Sequence, residues 1–184
     1  MHTFLSFLLL FSLVVTPPQE GLWLSQSGEI SFFSSAPLED IEAVNKSARS
    51  ALNFETGEVA VKLRIRGFDF PNNLMEEHFN ENYLESAKYP EATFAGKLQE
   101  TIDPAQPGTY PVSARGTLTI HGVAQNRTLT GHLTITPRQI TLETDFEVVL
   151  VDHKIERPSL MLMKIAEKVD VKARFTYQPS GNAQ

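Results

Sequence analysis

Apolar and polar residues alternate one by one along most of this chain. Val59, Val61, Leu63 and Ile65 fall on one side, and Lys62, Arg64 and Arg66 on the other. Val112, Ala114, Gly116, Leu118 and Ile120 repeat the pattern, with Ser113, Arg115, Thr117 and Thr119 between them. A period of two places successive side chains on opposite faces of a strand. One face is dry and the other wet. Gly96, Ala114, Gly116, Gly131 and Ala173 fall on the dry face. A dry face with so little volume implies a cavity, and a cavity implies a ligand.

The chain has 184 residues, enough for one domain with a real core. Its formal net charge of -6 argues against a nucleic-acid binder, which needs a basic patch for phosphates. It also lacks a polybasic membrane anchor. With no cysteine, disulfides, thiolate catalysis and cysteine metal sites are excluded. Phe4 to Val15 is a largely apolar run of the length of a signal-peptide core, too short for a membrane span of about 20 residues. No Lys or Arg precedes it, and no Ala-x-Ala pattern follows before Pro17 and Pro18. Export to the periplasm or outside the cell is expected, with an uncleaved anchor as the alternative. The expected organisation is a signal peptide over residues 1–20, one β-rich domain over 21–178 and a tail over 179–184.

Strands are expected at Leu22 to Phe33, Val44 to Phe54, Glu58 to Ile65 and Glu91 to Leu98. A hairpin follows, Val112 to His121 and Arg127 to Thr136, with a turn starting at Gly122 and centred near Ala124. Ile140 to Val151 and Val169 to Tyr177 complete the set. Between Pro71 and Lys88 the period becomes helical. Leu74, Met75, His78, Phe79 and Tyr83 recur at that spacing, and Asn73 with Glu76 forms a capping box. Met75, Phe79 and Tyr83 are expected to face inward, making this helix a lid. Pro158 to Ala166 reads as either a short helix or an extended segment. About eight antiparallel strands with one polar face fit a closed barrel or a sandwich.

Catalytic signals are weak. His121, His132 and His153 have no zinc-ligand spacing, and no nucleophile elbow or phosphate loop is present. His121 and His132 read as polar-face residues, and Asp152-His153 is a dipeptide whose side chains diverge. Lys46 and Arg127 fall on the nominally inward face. There a cation could meet a head group, or its charge could snorkel to water. His78 could likewise bond a head group, although a satisfied structural role is the simpler reading. Asn45-Lys46-Ser47 and Asn126-Arg127-Thr128 match the glycosylation triplet.

Two segments are more specific. Residues 77–94 carry a histidine, an aromatic-rich stretch and then Tyr89-Pro90-Glu91-Ala92-Thr93-Phe94 entering a strand. Gly116-Thr-Leu-Thr-Ile-His-Gly-Val123 is the second, and Phe146 to Val171 a looser third. Together they resemble the YceI-like family in the right order over nearly the whole mature chain. Two elements depart from the common pattern: Ile30 to Ile65 is short and lacks an early histidine, and Val151-Asp-His-Lys-Ile155 replaces an Arg-x-Asp-Phe-Gly element.

The resemblance implies an all-β, lipocalin-like antiparallel barrel of about eight strands with one inserted helix near its mouth. It implies an exported protein that holds a polyisoprenoid, quinone or fatty-acid-like lipid, with no obligatory cofactor, no metal and no catalysis. The expected cavity lining is Phe32, Val61, Leu63, Phe79, Phe94, Gly116, Leu118, Gly131, Leu133 and Phe146. The expected partner is an amphiphilic small molecule, with no nucleic acid and no stable membrane insertion after signal cleavage. A homodimer is a further alternative. The competing functional expectation is an envelope interaction or stress-related module with a packed, ligand-free barrel. On the cavity reading, bulky residues at Gly116 or Gly131 should block the bore and leave the barrel folded.

Overall fold

The longest hairpin sets the frame of the molecule. Strands β7 (Gly108–Ile120) and β8 (Val123–Ile135) pair over their whole lengths. Only His121 and Gly122 join them, with φ of 53° and 70°. Two consecutive positive φ values suit the right-handed twist of a two-residue hairpin. The turn therefore lies at His121-Gly122 and not near Ala124, because Val123 is already in the ladder. Gly122 is required twice over: its φ is positive, and a Cβ there would come within 2.6 Å of the Tyr89 ring.

In this computed structural model, which describes residues 21–35, 40–156 and 165–179, the other strands are β1 (Leu22–Ser34), β2 (Ile41–Asn45), β3 (Arg49–Asn53), β4 (Glu58–Arg64), β5 (Phe68–Asp69), β6 (Glu91–Leu98), β9 (Ile140–Val149) and β10 (Lys168–Pro179). The sheet order is β10-β9-β8-β7-β6-β4-β3-β1, and β1 pairs again with β10. The result is a closed eight-stranded antiparallel barrel. Closure gives every main strand a partner on each side, so none presents a full-length free edge to template aggregation. The short β2 and β5 extend one end beside β1. The expected signal segment, most of the ambiguous 158–166 stretch and the tail beyond Pro179 lie outside the described residues. Among the described residues, no helix is long and apolar enough to cross a membrane.

The segment expected as one strand from Val44 to Phe54 is two strands with opposite phase. Ile41, Ala43 and Asn45 are buried before the break, and Ala48, Ser50 and Leu52 after it. The buried Asn45 side chain causes the break. It donates to the Arg64 carbonyl at 2.8 Å and accepts from the Ser47 backbone N–H and hydroxyl. A one-residue shift exchanges the two faces of a strand, so Lys46 is exposed and not inward as its sequence parity suggests. Burial of Asn45 also removes it as a glycosylation acceptor.

The helix is shorter than its periodicity suggests. Helix α1 (Asn73–His78) continues as a π turn, Phe79–Tyr83, closed by the Leu84 N–H bonding to the Phe79 carbonyl. Its cap is Asn72, whose side chain accepts from the Met75 N–H at 2.9 Å; Asn73 is already helical. Glu85, with φ of 42°, ends the helical path before Lys88. Met75, Phe79 and Tyr83 are all buried. Phe79 stacks on Phe32 at 5.4 Å and meets Phe68 and Phe70 edge-on or tilted. This aromatic cluster closes one barrel end beneath the helix. At the opposite end Leu52, Leu133, Ile140, Phe175 and Tyr177 are almost fully buried. There the Tyr177 hydroxyl lies 2.7 Å from the Ser50 hydroxyl, and burial pushes the phenol above its ordinary pKa.

Candidate functional site

Between these two packed ends the barrel encloses a cavity of about 170 Å³. No lining residue is charged, and only Thr93, Thr130 and Thr144 carry a polar side chain. Ala92, Phe94 and Leu98 of β6 all line it, so it runs along at least six residues of strand, or roughly 20 Å at about 3.3 Å per residue. An apolar cavity of this kind stays dry and receives apolar guests.

The expected lining residues divide in two. Phe32, Val61, Leu63, Phe79, Phe94, Leu118, Gly131 and Phe146 surround the cavity. Gly116 and Leu133 do not. Leu133 is fully buried and packs in the core instead. Gly116 sits directly opposite Gly96 on β6, where the two strands are pressed together. A Cβ on Gly116 would lie 2.3 Å from the Ala95 carbonyl oxygen and 2.5 Å from the Gly96 Cα. This glycine permits a close approach of backbones.

The other small residues show the same split. Ala114, Gly131 and Ala173 line the space, whereas Gly96 seats the Phe94 ring, 2.9 Å from where its Cβ would be. Even Gly131 is not free to grow, because its Cβ would stand 2.2 Å from the Glu143 carbonyl oxygen. Sequence reasoning missed Ile155 and Ile165, which reach the cavity from irregular segments. No periodic pattern could reveal them.

Polar chemistry gathers instead at the helix end of the wall. His121 is buried, contrary to its expected polar-face position. Its Nδ1 lies 3.1 Å from the His153 carbonyl, its Nε2 lies 2.7 Å from Glu85 Oε2, and its ring meets Tyr89 edge-on. The buried His153 donates from Nδ1 to the Val123 carbonyl at 3.1 Å. Its Nε2 has no partner among the described residues. Together they tie the hairpin turn to residues 150–153 and to the end of the helix. His132 is exposed on β8. His78 is half-buried at the end of α1, away from the main cavity and beside a small void with Met75 and Tyr83. Among the described residues, no group of three His, Asp or Glu side chains could hold a metal.

Burial lowers the His153 pKa from 6.5, and nearby Arg127 contributes to the lowering; the Val123 and Ile120 carbonyls and Asp152 oppose it. The folded protein therefore binds this proton less readily than the unfolded chain. Stability is fully present above the unfolded value of about 6.5 and falls as pH drops toward the folded pKa. Thermal unfolding midpoints should decline between pH 7.5 and 5.5, with a slope from this group of at most about 1.4 kcal/mol per pH unit. His153→Gln should flatten that profile. An unchanged profile in a folded variant would remove His153 as its source.

The model of the YceI-like domain matches residues 22–177. Three solved structures share the fold. A polyisoprenoid-binding domain from Saccharophagus degradans, implicated in plant cell wall breakdown, superposes with a TM-score of 0.72 at 14% identity, covering 85% of this chain and 97% of its own. Burkholderia cenocepacia BcnA gives 0.67 at 17% identity, with coverages of 81% and 95%. The Campylobacter jejuni YceI protein gives 0.54 at 16% identity, with coverages of 97% and 94%. Comparison with curated proteins finds no match. With its closed barrel, its inserted helix and a domain match over nearly its full length, the chain belongs to the YceI-like family.

Proposed function

We propose that this protein is an exported, non-catalytic carrier that holds an isoprenoid, quinone or similar amphiphile inside its barrel. The observation that carries this reading is the cavity: about 170 Å³, uncharged and bounded by side chains from most strands. Each buried CH₂ gains roughly 0.8 kcal/mol, so an apolar chain is the guest that such a lining favours. The Saccharophagus domain's description as polyisoprenoid-binding supports an apolar chain as the guest. Export rests on the apolar N-terminal segment and on the family, whose members are periplasmic. A ligand-free module would be expected to fill its bore, and this cavity counts against it. One chain encloses the cavity, so the reading needs no dimer.

Organic extraction of natively purified protein, followed by mass spectrometry, tests the proposal. One or a few long-chain amphiphiles, near one per chain, are expected. A clean extract, together with no uptake of added polyprenol, quinone or fatty acid, would overturn it.

A further inference from the structure

Strands β8 and β9 pair along only one end of each. Their ladder runs from Ile135 opposite Ile140 to Gly131 opposite Thr144 and then stops. On the other flanks pairing continues, β8 with β7 as far as Val123 and β9 with β10 as far as Val149. Residues 123–130 and 145–149 thus face each other across an interruption in the wall. Side chains span it. Thr144 Oγ1 donates to the Thr130 carbonyl at 2.7 Å, Arg127 Nη2 to the Glu147 carbonyl at 2.8 Å, and Gln125 Nε2 to the Asp152 carbonyl at 2.7 Å.

The cavity reaches this interruption. Leu129 and Thr130 line it from β8, and Phe146 and Val148 from β9. Thr130 is exposed and still borders the cavity, as expected where the wall lacks a neighbouring strand. Among the described residues, both barrel ends are packed with buried side chains. Arg127 is the anomaly here. It pairs with Gly116 and shares the inward row with Leu129 and Gly131. Among the described residues no carboxylate pairs with it, and the Glu147 carboxylate is held by Lys168 at 3.1 Å.

We propose that the β8–β9 interruption is the side entrance of the cavity, and that Arg127 there binds the anionic head, a carboxylate or a phosphate, of an amphiphile whose chain lies inside. This rests on the cavity holding an apolar chain. An uncharged lining cannot host an anionic head, because a buried charge without a partner is strongly disfavoured. The head must remain at an opening. A guanidinium offers several donors in a planar fork that matches carboxylate and phosphate oxygens. Its present acceptor, a neutral carbonyl, is the weaker partner. Exchange of one for the other would part the side-chain bridge without breaking a backbone ladder.

The experiment measures binding of palmitate, hexadecyl phosphate and hexadecanol to the wild type, Arg127→Gln and Arg127→Lys. Arg127→Gln should weaken one or both anions about tenfold, as loss of a charge-assisted bond does, and hexadecanol far less. Which anion loses affinity identifies the head. Arg127→Lys should restore part of the loss. Equal effects on all three probes, or none, would overturn the head site while leaving the cavity intact. A wild type that binds none of them would overturn the carrier reading and this proposal with it. The chain has no cysteine, so Thr130→Cys can be labelled uniquely with a bulky maleimide. The label should slow uptake and release several-fold relative to a label at Lys97→Cys, an exposed position on the outer face of β6. Unchanged rates would place the entrance elsewhere.

Discussion

Ala114→Phe should abolish most ligand uptake and leave the barrel folded. Ala114 lies on β7 between Leu98 of β6 and Leu129 of β8, and all three line the cavity. Its side chain borders the cavity, so a phenyl group there takes up part of the bore. Displacing even two or three methylenes of a guest forfeits roughly 2 kcal/mol at about 0.8 kcal/mol each, which is more than tenfold in Kd. Stability should hold or rise, since filling an apolar void commonly gains about 0.5–2 kcal/mol. Uptake is read with a fluorescent fatty-acid probe, and folding by circular dichroism and thermal melts. Ala173→Leu, on β10 and also lining the cavity, is the second variant. Well-folded variants of both with undiminished uptake would mean that the guest does not lie in this cavity.

The glycines should behave in the opposite way. At Gly131 an added Cβ would stand 2.2 Å from the Glu143 carbonyl oxygen, on backbone that cannot rotate away. Gly131 is also the last rung of the β8–β9 ladder. Gly131→Ala must therefore push β9 aside where pairing already ends. Gly116→Ala meets the same obstacle against Ala95 and Gly96. Overpacking of this kind costs about 1–3 kcal/mol. For a chain of this size that is roughly 2–12 °C in melting temperature, at about 2–4 °C per kcal/mol. The expectation of a folded but blocked barrel thus passes from the glycines to Ala114 and Ala173. A Gly131→Ala protein as stable as the wild type would show that the strands do not approach so closely.

Much of the architecture was legible because burial on one face writes a period of two into a strand. Strand β6 ends where its alternation does, and the long strands β1, β9 and β10 differ from expectation by only a residue or two at most ends. The misreadings arise where something other than alternation decides the conformation. At Asn45 side-chain bonds local to a turn break the second strand and reverse its phase, and at Glu85 a positive-φ backbone conformation cuts the helix short. His121 was misjudged for a related reason. Its partners, Glu85 and His153, come from distant parts of the chain and meet only in the fold.

The sequence by itself determined an antiparallel sheet with one dry face, because alternation needs nothing beyond the chain's own pleat. It also marked where that face is poor in volume. Only the tertiary structure decided what the missing volume is for. At Gly96 and Gly116 it lets backbones touch, and at Ala114 and Ala173 it leaves space. A missing side chain looks the same in either case until the neighbouring strand is in place. The interruption between β8 and β9 is likewise absent from the pattern, since each strand alternates normally and only their divergence after Gly131 and Thr144 opens the wall.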